Sequence, residues 1–458
     1  MTEENPSSIH SGMPQPADLV IKARWIIPVR PHGQVLEEAA VVIRDGRIID
    51  VLPNVELPAR YQVSQTITLG DHALIPGLIN LHTHAGMTLM RGMADDLPLM
   101  QWLNEHIWPA EKKVISERFV HDSTLLGCAE MLSGGVTCFN EMYFYPEAAA
   151  DAVTQAGIRA NLGLIVLEFP TSYAHDADDY LQKGLSSRDN WRGQDLLSTS
   201  LAPHAPYTIS DETFGKVLTY ADQLGIGIHT HVHETLDEIS QSTAQLGVRP
   251  LQRLANLGLL GPNMVAAHCV HMQPEEMALL AEYGCHVAHC PTSNLKLASG
   301  IAPIAELIAG GLNVGIGTDG AASNNRLDMF SEMRLAALLA KGASGNAAAL
   351  PASQALEMAT LNAAKALCME EKIGSIEAGK MADLVAVRIA DPEVLPCFDP
   401  ISHLVYVAER EHVSHVWVSG ELRYQKLAGQ TGVYANMEPA ELKEIVEEWQ
   451  AKLNQYKT

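Results

Sequence analysis

Aromatic residues make up only 5% of this 458-residue chain, against a hydrophobic content of 47%. That shortage argues against an aromatic-rich β-protein. The plentiful Gly and Ala suit helices packed on a sheet. Positive charge is also scarce: 31 Lys and Arg stand against 54 Asp and Glu, for a net charge of -23. Such a balance disfavours general attraction to nucleic acid or to an anionic membrane, and leaves the sign of any local pocket open. The seven cysteines are scattered, odd in number and without a C-x-x-C pair. A disulfide framework is therefore not expected, and a reducing cytosol fits. Cys269 and Cys290 stand beside histidines of interest but read as small buried hydrophobes. No uninterrupted apolar run reaches the roughly 20 residues that span a bilayer. The first residues, to Asp18, are polar and carry glutamates, so no secretory signal is expected and the cytoplasm is.

What is present is organised in three textures. Residues 1–17 read as a disordered lead. From Asp18 short β-rich runs alternate with turn signals, and Asp45-Gly46 between apolar runs is a hairpin cue. From residue 74, apolar strand-like runs alternate with helical stretches. The strands are read at 73–81, 136–140, 159–166, 197–202, 227–232, 265–268, 286–288 and 313–317, with helices at 118–133, 145–156, 211–224 and 275–283. About eight βα units of this kind predict a (β/α)8 TIM barrel of the metal-dependent hydrolase type over 74–370. After a helix at 353–367, β texture returns. Residues 371–434 are expected to rejoin 18–73 in a small β-sandwich domain built from both chain ends, with a polar helix within 435–458.

Polar clusters end the apolar runs, where a barrel carries its active site. In Leu81-His82-Thr83-His84 alternation puts both imidazoles on one strand face, a half-site for a metal. Further clusters are His204 in APHAPY, the run HTHVHE over 229–234, His268 and His271 in AHCVH, and Asp319 in GTDGAASNN. A metal needs three or four N or O ligands from different elements. His82, His84, one histidine of 229–233 and Asp319 supply them. Alternation places His229, His231 and His233 on one face, and periodicity does not choose among them. A bound cation lowers the pKa of water, and a carboxylate such as Asp319 can take the proton. Glu234 is placed to give a proton to a substrate atom, and His268 to steady developing charge. His271, His286 and His289 read more readily as buried, satisfied histidines. Asp319 alone would read as a turn residue before glycine.

The motifs PGLINLHTHAGMTLMRG, HTHVHET, AHCVH and GTDGAASNN, in this order, resemble the amidohydrolase superfamily, and within it the 5-methylthioadenosine/S-adenosylhomocysteine deaminase family. The resemblance covers nearly the whole chain, including IGSIEAGKMADLVAV. It implies His82, His84, His231 and Asp319 as metal ligands and Glu234, His268 and Asp319 as catalytic residues. It implies one Zn2+ per chain, with Fe2+ or another divalent metal as alternatives, because no lysine falls near the end of 159–166 to bridge a second ion. It also implies substrate contacts from Trp102, Glu111, His204 and Glu234, with Trp102 against the nucleoside and Glu111 accepting from the ribose hydroxyls. Without the resemblance, Trp102 reads as helix packing and Glu111 as a solvated helix start. The partner expected is a small nucleoside, with neither nucleic acid nor membrane, and a homodimer or larger assembly.

One departure bears on substrate. Where relatives that take S-adenosylhomocysteine resemble one another in carrying arginines, this chain has Leu164 followed by the acidic stretch 174–179. That predicts repulsion of a substrate carboxylate and preference for 5'-methylthioadenosine, unless Arg188 or Arg192 folds back. The expected reaction is hydrolytic deamination to the inosine analogue and ammonia. Rival readings are a deaminase or chlorohydrolase of another heterocycle (guanine, pterin or triazine), a binuclear hydrolase of cyclic amides, and a non-catalytic scaffold on the same fold.

Overall fold

The structure is a computed structural model and describes residues 14–456. Most of the expected disordered lead lies outside that range, but residues 15–17 are already strand, since β1 runs Gln15–Ile26. β2 (Leu36–Arg44) and β3 (Arg47–Pro53) form the hairpin around Asp45-Gly46, whose φ angles of 51 and 73° are both left-handed. A two-residue turn that follows the strand twist requires that conformation. A side chain at Gly46 would also meet the Ser419 carbonyl oxygen at 2.6 Å.

β4 (Tyr61–Pro76) is a strand that periodicity does not announce. Its first half is rich in Gln, Ser and Thr and largely exposed, and is held by parallel pairing with β1 rather than by burial. β4 also corrects the start of the barrel. The run 73–81 is divided at Gly77: Ala73–Pro76 finish β4 in the outer sheet, and β5 (Leu78–Thr83) opens the barrel. A Cβ on Gly77 would stand 1.9 Å from Thr137 Oγ1, so the chain passes between the sheets there as glycine.

The barrel continues through β6 (Val136–Tyr143), β7 (Arg159–Val166), β8 (Leu197–Pro203), β9 (Gly227–Val232), β10 (Met264–His268), β11 (His286–His289) and β12 (Asn313–Ile316). The eight strands are parallel and neighbour one another in chain order. Helices such as Glu117–Ser133, Ala177–Asn190 and Asp211–Leu224 lie between them in sequence. β12 returns beside β5. There the Thr318 amide donates to Asn80 Oδ1 and the Asp319 amide to the His82 carbonyl, each at 2.9 Å. Barrel closure itself thus sets Asp319 beside the first histidine.

β13 (Leu384–Arg388), β14 (Val413–Val418), β15 (Glu421–Gln425) and β16 (Val433–Tyr434) complete the outer sheet, in the order β16-β15-β14-β13-β4-β1-β2-β3. The helix expected at 353–367 is two short ones, Ala352–Met358 and Leu361–Ala366. The last long helix, Pro439–Leu453, docks back on the barrel, where Trp449 Nε1 donates to Asp122 Oδ2 at 2.8 Å. No described helix is long and apolar enough to cross a membrane.

Candidate active site

His82 and His84 leave β5 on one side, and His231 leaves β9 opposite them. One ligand atom from each lies within 4.8 Å of the others. His84 Nδ1 is 2.5 Å from the Met142 carbonyl and His231 Nδ1 is 2.6 Å from the His204 carbonyl. A carbonyl can only accept, so both Nδ1 atoms carry a proton and the Nε2 atoms are left to face the cluster. His82 Nε2 is buried and has no hydrogen-bond partner among the described residues. Burial holds His82 neutral, with its pKa pulled down to about 4, and puts His231 well below the usual histidine range. Neutral imidazole is the form that binds a metal. In His84, burial also pulls downward, but the adjacent Asp319 carboxylate outweighs it and lifts the pKa to about 9, so a cation would displace that proton.

The neighbouring histidines of β9 are separated by what they touch. His229 Nε2 lies 2.9 Å from His82 Nδ1, and its Nδ1 lies 3.2 Å from Asn140 Nδ2, so it backs the first histidine. His233 takes a left-handed φ of 52°, accepts from the Leu251 amide at 3.1 Å and faces Glu276. Among the more distant histidines, His271 meets the Ser299 carbonyl and His286 the Pro262 carbonyl. His289 is buried, and its Nδ1 has no partner among the described residues.

Asp319 follows β12 in a left-handed conformation, φ 60°. Its Oδ1 is 3.1 Å from His84 Nε2 and 3.4 Å from His82 Nε2. Its Oδ2 accepts from Ser293 and Ser323, each at 2.6 Å. Burial works against the charge, but the adjacent imidazoles of His82 and His84 prevail and hold the carboxyl well below its usual range. Gly317 lets the strand approach: a Cβ there would lie 2.7 Å from the His82 amide nitrogen. Three imidazoles and one carboxylate around an orphaned Nε2 fit a zinc-type cation.

Two further groups face this cluster. His268 has Nδ1 2.8 Å from Asn294 Oδ1, and its Nε2 lies 3.9 Å from Glu234 Oε2. Glu234 is buried at 7% exposure, which raises its carboxyl pKa, and its amide is hooked to Glu238 Oε2 at 2.9 Å.

A cavity of about 600 Å³ holds all of these groups except His82 in its lining, within the range of small-molecule sites. Its polar groups gather at the histidine and aspartate cluster. The rest of its wall is largely apolar, with Leu103, Ile107 and Leu167 buried and Trp108 and Phe169 nearer solvent, and Lys112 is the only Lys or Arg of the described residues in the lining. Trp102, Glu111 and His204 all line it. The segment that brings Trp102 and Glu111 there contains a π-helical turn, Trp102–Ile107, followed by the helix Trp108–Val114. Such turns cluster at functional sites. Trp102 Nε1 donates to the Ala94 carbonyl at 3.1 Å. Glu111 Oε1 accepts from the Tyr143 hydroxyl at 2.6 Å, and burial lifts the Glu111 carboxyl to about 7.

The expectation for the carboxylate-repelling loop needs correction. Leu164 packs beneath Gly184 of the helix Ala177–Asn190, not on the cavity. Much of the acidic stretch is that helix's first turn: Asp176 caps it, Asp178 pairs with Lys216 and Asp179 with Lys183. Acidic side chains are favourable at a helix start, so they turn to the amides and lysines instead of the cavity. Arg188 and Arg192 line a separate cavity with Trp191, Ser198 and His229. Sequence reading passed over Tyr143, Ser293 and Asn294. Ser323 stands within GTDGAASNN, where the hydroxyl four residues after Asp319 was a usable signal.

The amidohydrolase family model matches residues 73–423. A 5-methylthioadenosine/S-adenosylhomocysteine deaminase of Saccharophagus degradans is 49% identical over 406 residues, covering 89% of this chain and 91% of that protein. A second of the same name, from Teredinibacter turnerae, is 48% identical over 407 residues, covering 88% and 91%. A crystal structure of an adenosine deaminase from Xanthomonas campestris with bound zinc superposes with a TM-score of 0.94 at 45% identity, covering 97% of this chain and 100% of that one. An atrazine chlorohydrolase from Arthrobacter aurescens shares the fold, with a TM-score of 0.84 at 24% identity and coverage of 94% and 99%. With its barrel, its histidine and aspartate cluster and these relatives together, the chain belongs to the amidohydrolase family.

Proposed function

We propose that this protein is a zinc-dependent hydrolase that deaminates 5'-methylthioadenosine to the inosine analogue and ammonia, with S-adenosylhomocysteine and adenosine as further candidate substrates. The observation that carries the reading is one cavity that joins the His82–His84–His231–Asp319 cluster to Glu234 and to an apolar wall. The names of the two deaminase relatives and the zinc bound in the Xanthomonas campestris adenosine deaminase support it. His82, His84, His231 and Asp319 would hold the metal. Zinc bound there supplies water that reacts at neutral pH, by lowering its pKa.

The protein groups do the rest. Glu234, kept protonated to higher pH by burial, gives its proton to N1 of the purine. Asp319, its Oδ2 fixed by two serines, takes the water proton on Oδ1. Oxygen adds to C6, and His268, oriented by Asn294, steadies the charge that develops. The C6–N bond then breaks, the proton held by Asp319 passes to the leaving amine, ammonia departs, and the proton left on the C6 oxygen returns to Glu234, which leaves the C6 carbonyl and restores the acid. Trp102 packs on the nucleoside, His204 touches its edge and Glu111 receives the sugar hydroxyls. The apolar wall of Leu103, Ile107, Trp108 and Phe169 suits a methylthio group better than a carboxylate. In this reading the barrel, which opens at Leu78, is the catalytic unit, and the enzyme works in the cytoplasm as a homodimer or larger assembly.

Ammonia release by zinc-loaded protein offered equal concentrations of 5'-methylthioadenosine, S-adenosylhomocysteine, adenosine and guanine tests this. Methylthioadenosine is expected to lead. Comparable rates with the homocysteine conjugate would turn attention to Lys112 as its carboxylate partner. Silence on every adenosine would refute the function.

A further inference from the structure

We propose that Tyr143 is a positioning residue that fixes how Glu111 reads the vicinal diol of a nucleoside, and that Gly86 is there to seat its ring. This rests on the ribonucleoside reading above and adds a residue to it. Tyr143 is the last residue of β6, is 4% exposed and lines the cavity. Its hydroxyl donates to Glu111 Oε1 at 2.6 Å. Among the described residues, the other oxygen of Glu111 has no donor. A carboxylate accepts through two oxygens and several lone pairs, so a free one meets a diol in many orientations. With Oε1 tied to a buried phenol, the carboxylate plane is fixed, and the remaining lone pairs face the diol in one orientation.

The seat of the ring gives independent support. A Cβ on Gly86 would lie 2.2 Å from Tyr143 Cδ1, so the ring occupies the volume that any other residue would need. Gly86 does not have a left-handed φ, so the requirement is space alone. Gly86 lies in the turn Ala85–Met90, directly after His84. Glu141 holds that turn by accepting from the amides of Ala85 at 2.8 Å and Gly86 at 3.3 Å. One ring therefore joins the turn beside a proposed metal ligand to the carboxylate proposed for the sugar. It fixes the spacing between the reacting ring and the diol.

The test is Tyr143→Phe, which keeps the ring and removes the hydroxyl, measured on adenosine and 2',3'-dideoxyadenosine. KM for adenosine is expected to rise about tenfold, the usual scale for losing a bond to a charged group. Turnover should stay within about twofold, and KM for the dideoxy compound should not move. Equal rises on both substrates would mean a merely structural role and overturn the proposal. So would no change on either. A fall in KM for adenosine would also overturn it, by showing that the sugar displaces the tyrosine. Failure of the unmodified enzyme to deaminate adenosine or methylthioadenosine at all would instead remove the function on which the proposal stands.

Discussion

Glu234→Gln keeps the shape of the proposed proton donor and removes its proton. Turnover should fall by about 10²- to 10⁴-fold, the usual worth of a general acid, with bound zinc unchanged by metal analysis. Near-native turnover would take Glu234 out of the mechanism. His231→Ala should instead lose the metal, while His233→Ala should keep it. Equal zinc content in the two variants would show that the wrong histidine was chosen. These residues differ in how far sequence alone discloses them. His82 and His84 follow from strand alternation. His231 does not, because its two neighbours share its face. What separates them is the left-handed turn at His233 and the Leu251 amide that its ring accepts from, and neither has a sequence signature. The same holds for Ser293, which reaches Asp319 from a distant helix start.

Among the elements, the helix Glu117–Ser133 shows how the cavity wall is braced. Glu130 near its end pairs with Arg91, with Arg410 at 3.0 Å and with the Leu327 amide at 3.1 Å. It thereby ties the segment after β5 to the loop after β12 and to the approach to β14. Burial acts to raise its pKa, but the two arginines and the amide win and hold it below the usual value. Its contribution to stability is therefore fully present above the unfolded pKa near 4.3 and is lost as pH falls through the lower folded value. Glu130→Gln should cost roughly 1–3 kcal/mol at pH 7. In urea titrations the gap from the parent protein should narrow in acid; a gap constant with pH would refute the linkage. Helices and strands with clear periodicity were legible, as in Asp211–Leu224. The π-helical turn and the acidic helix start were not. The former is a register change within an ordinary-looking helix, and the latter is a charge pattern that an exposed loop would share.

Across the whole molecule, one buried ion pair joins barrel and outer sheet. Arg159 at the base of β7 meets Asp383, just before β13, at 3.1 Å, with both side chains almost fully buried. Asp383 also accepts from the Ser419 amide at 2.7 Å, and Arg159 donates to the Asp195 carbonyl at 2.7 Å. Removing one partner strands the other charge away from water. Arg159→Met is therefore expected to cost about 3–5 kcal/mol, read from the denaturation midpoint. Replacing both residues by apolar ones should cost less than the single change. If it costs as much as the two single changes combined, the pair is not coupled. The two-ended outer domain was legible from the return of β texture, but its partner strands were not.

That outer sheet has a consequence in time. β4 hydrogen-bonds to β13 on one side, Leu384 opposite Pro76, and the ribosome makes the entire barrel between those two residues. Throughout that interval the edge of β4 has no mate, and an unmated edge invites pairing with other chains. Nascent chains arrested after Met381 should therefore associate with one another or recruit chaperones, whereas chains extended past Gln425 should not. The last quarter of the polypeptide closes the sheet that its first quarter leaves open.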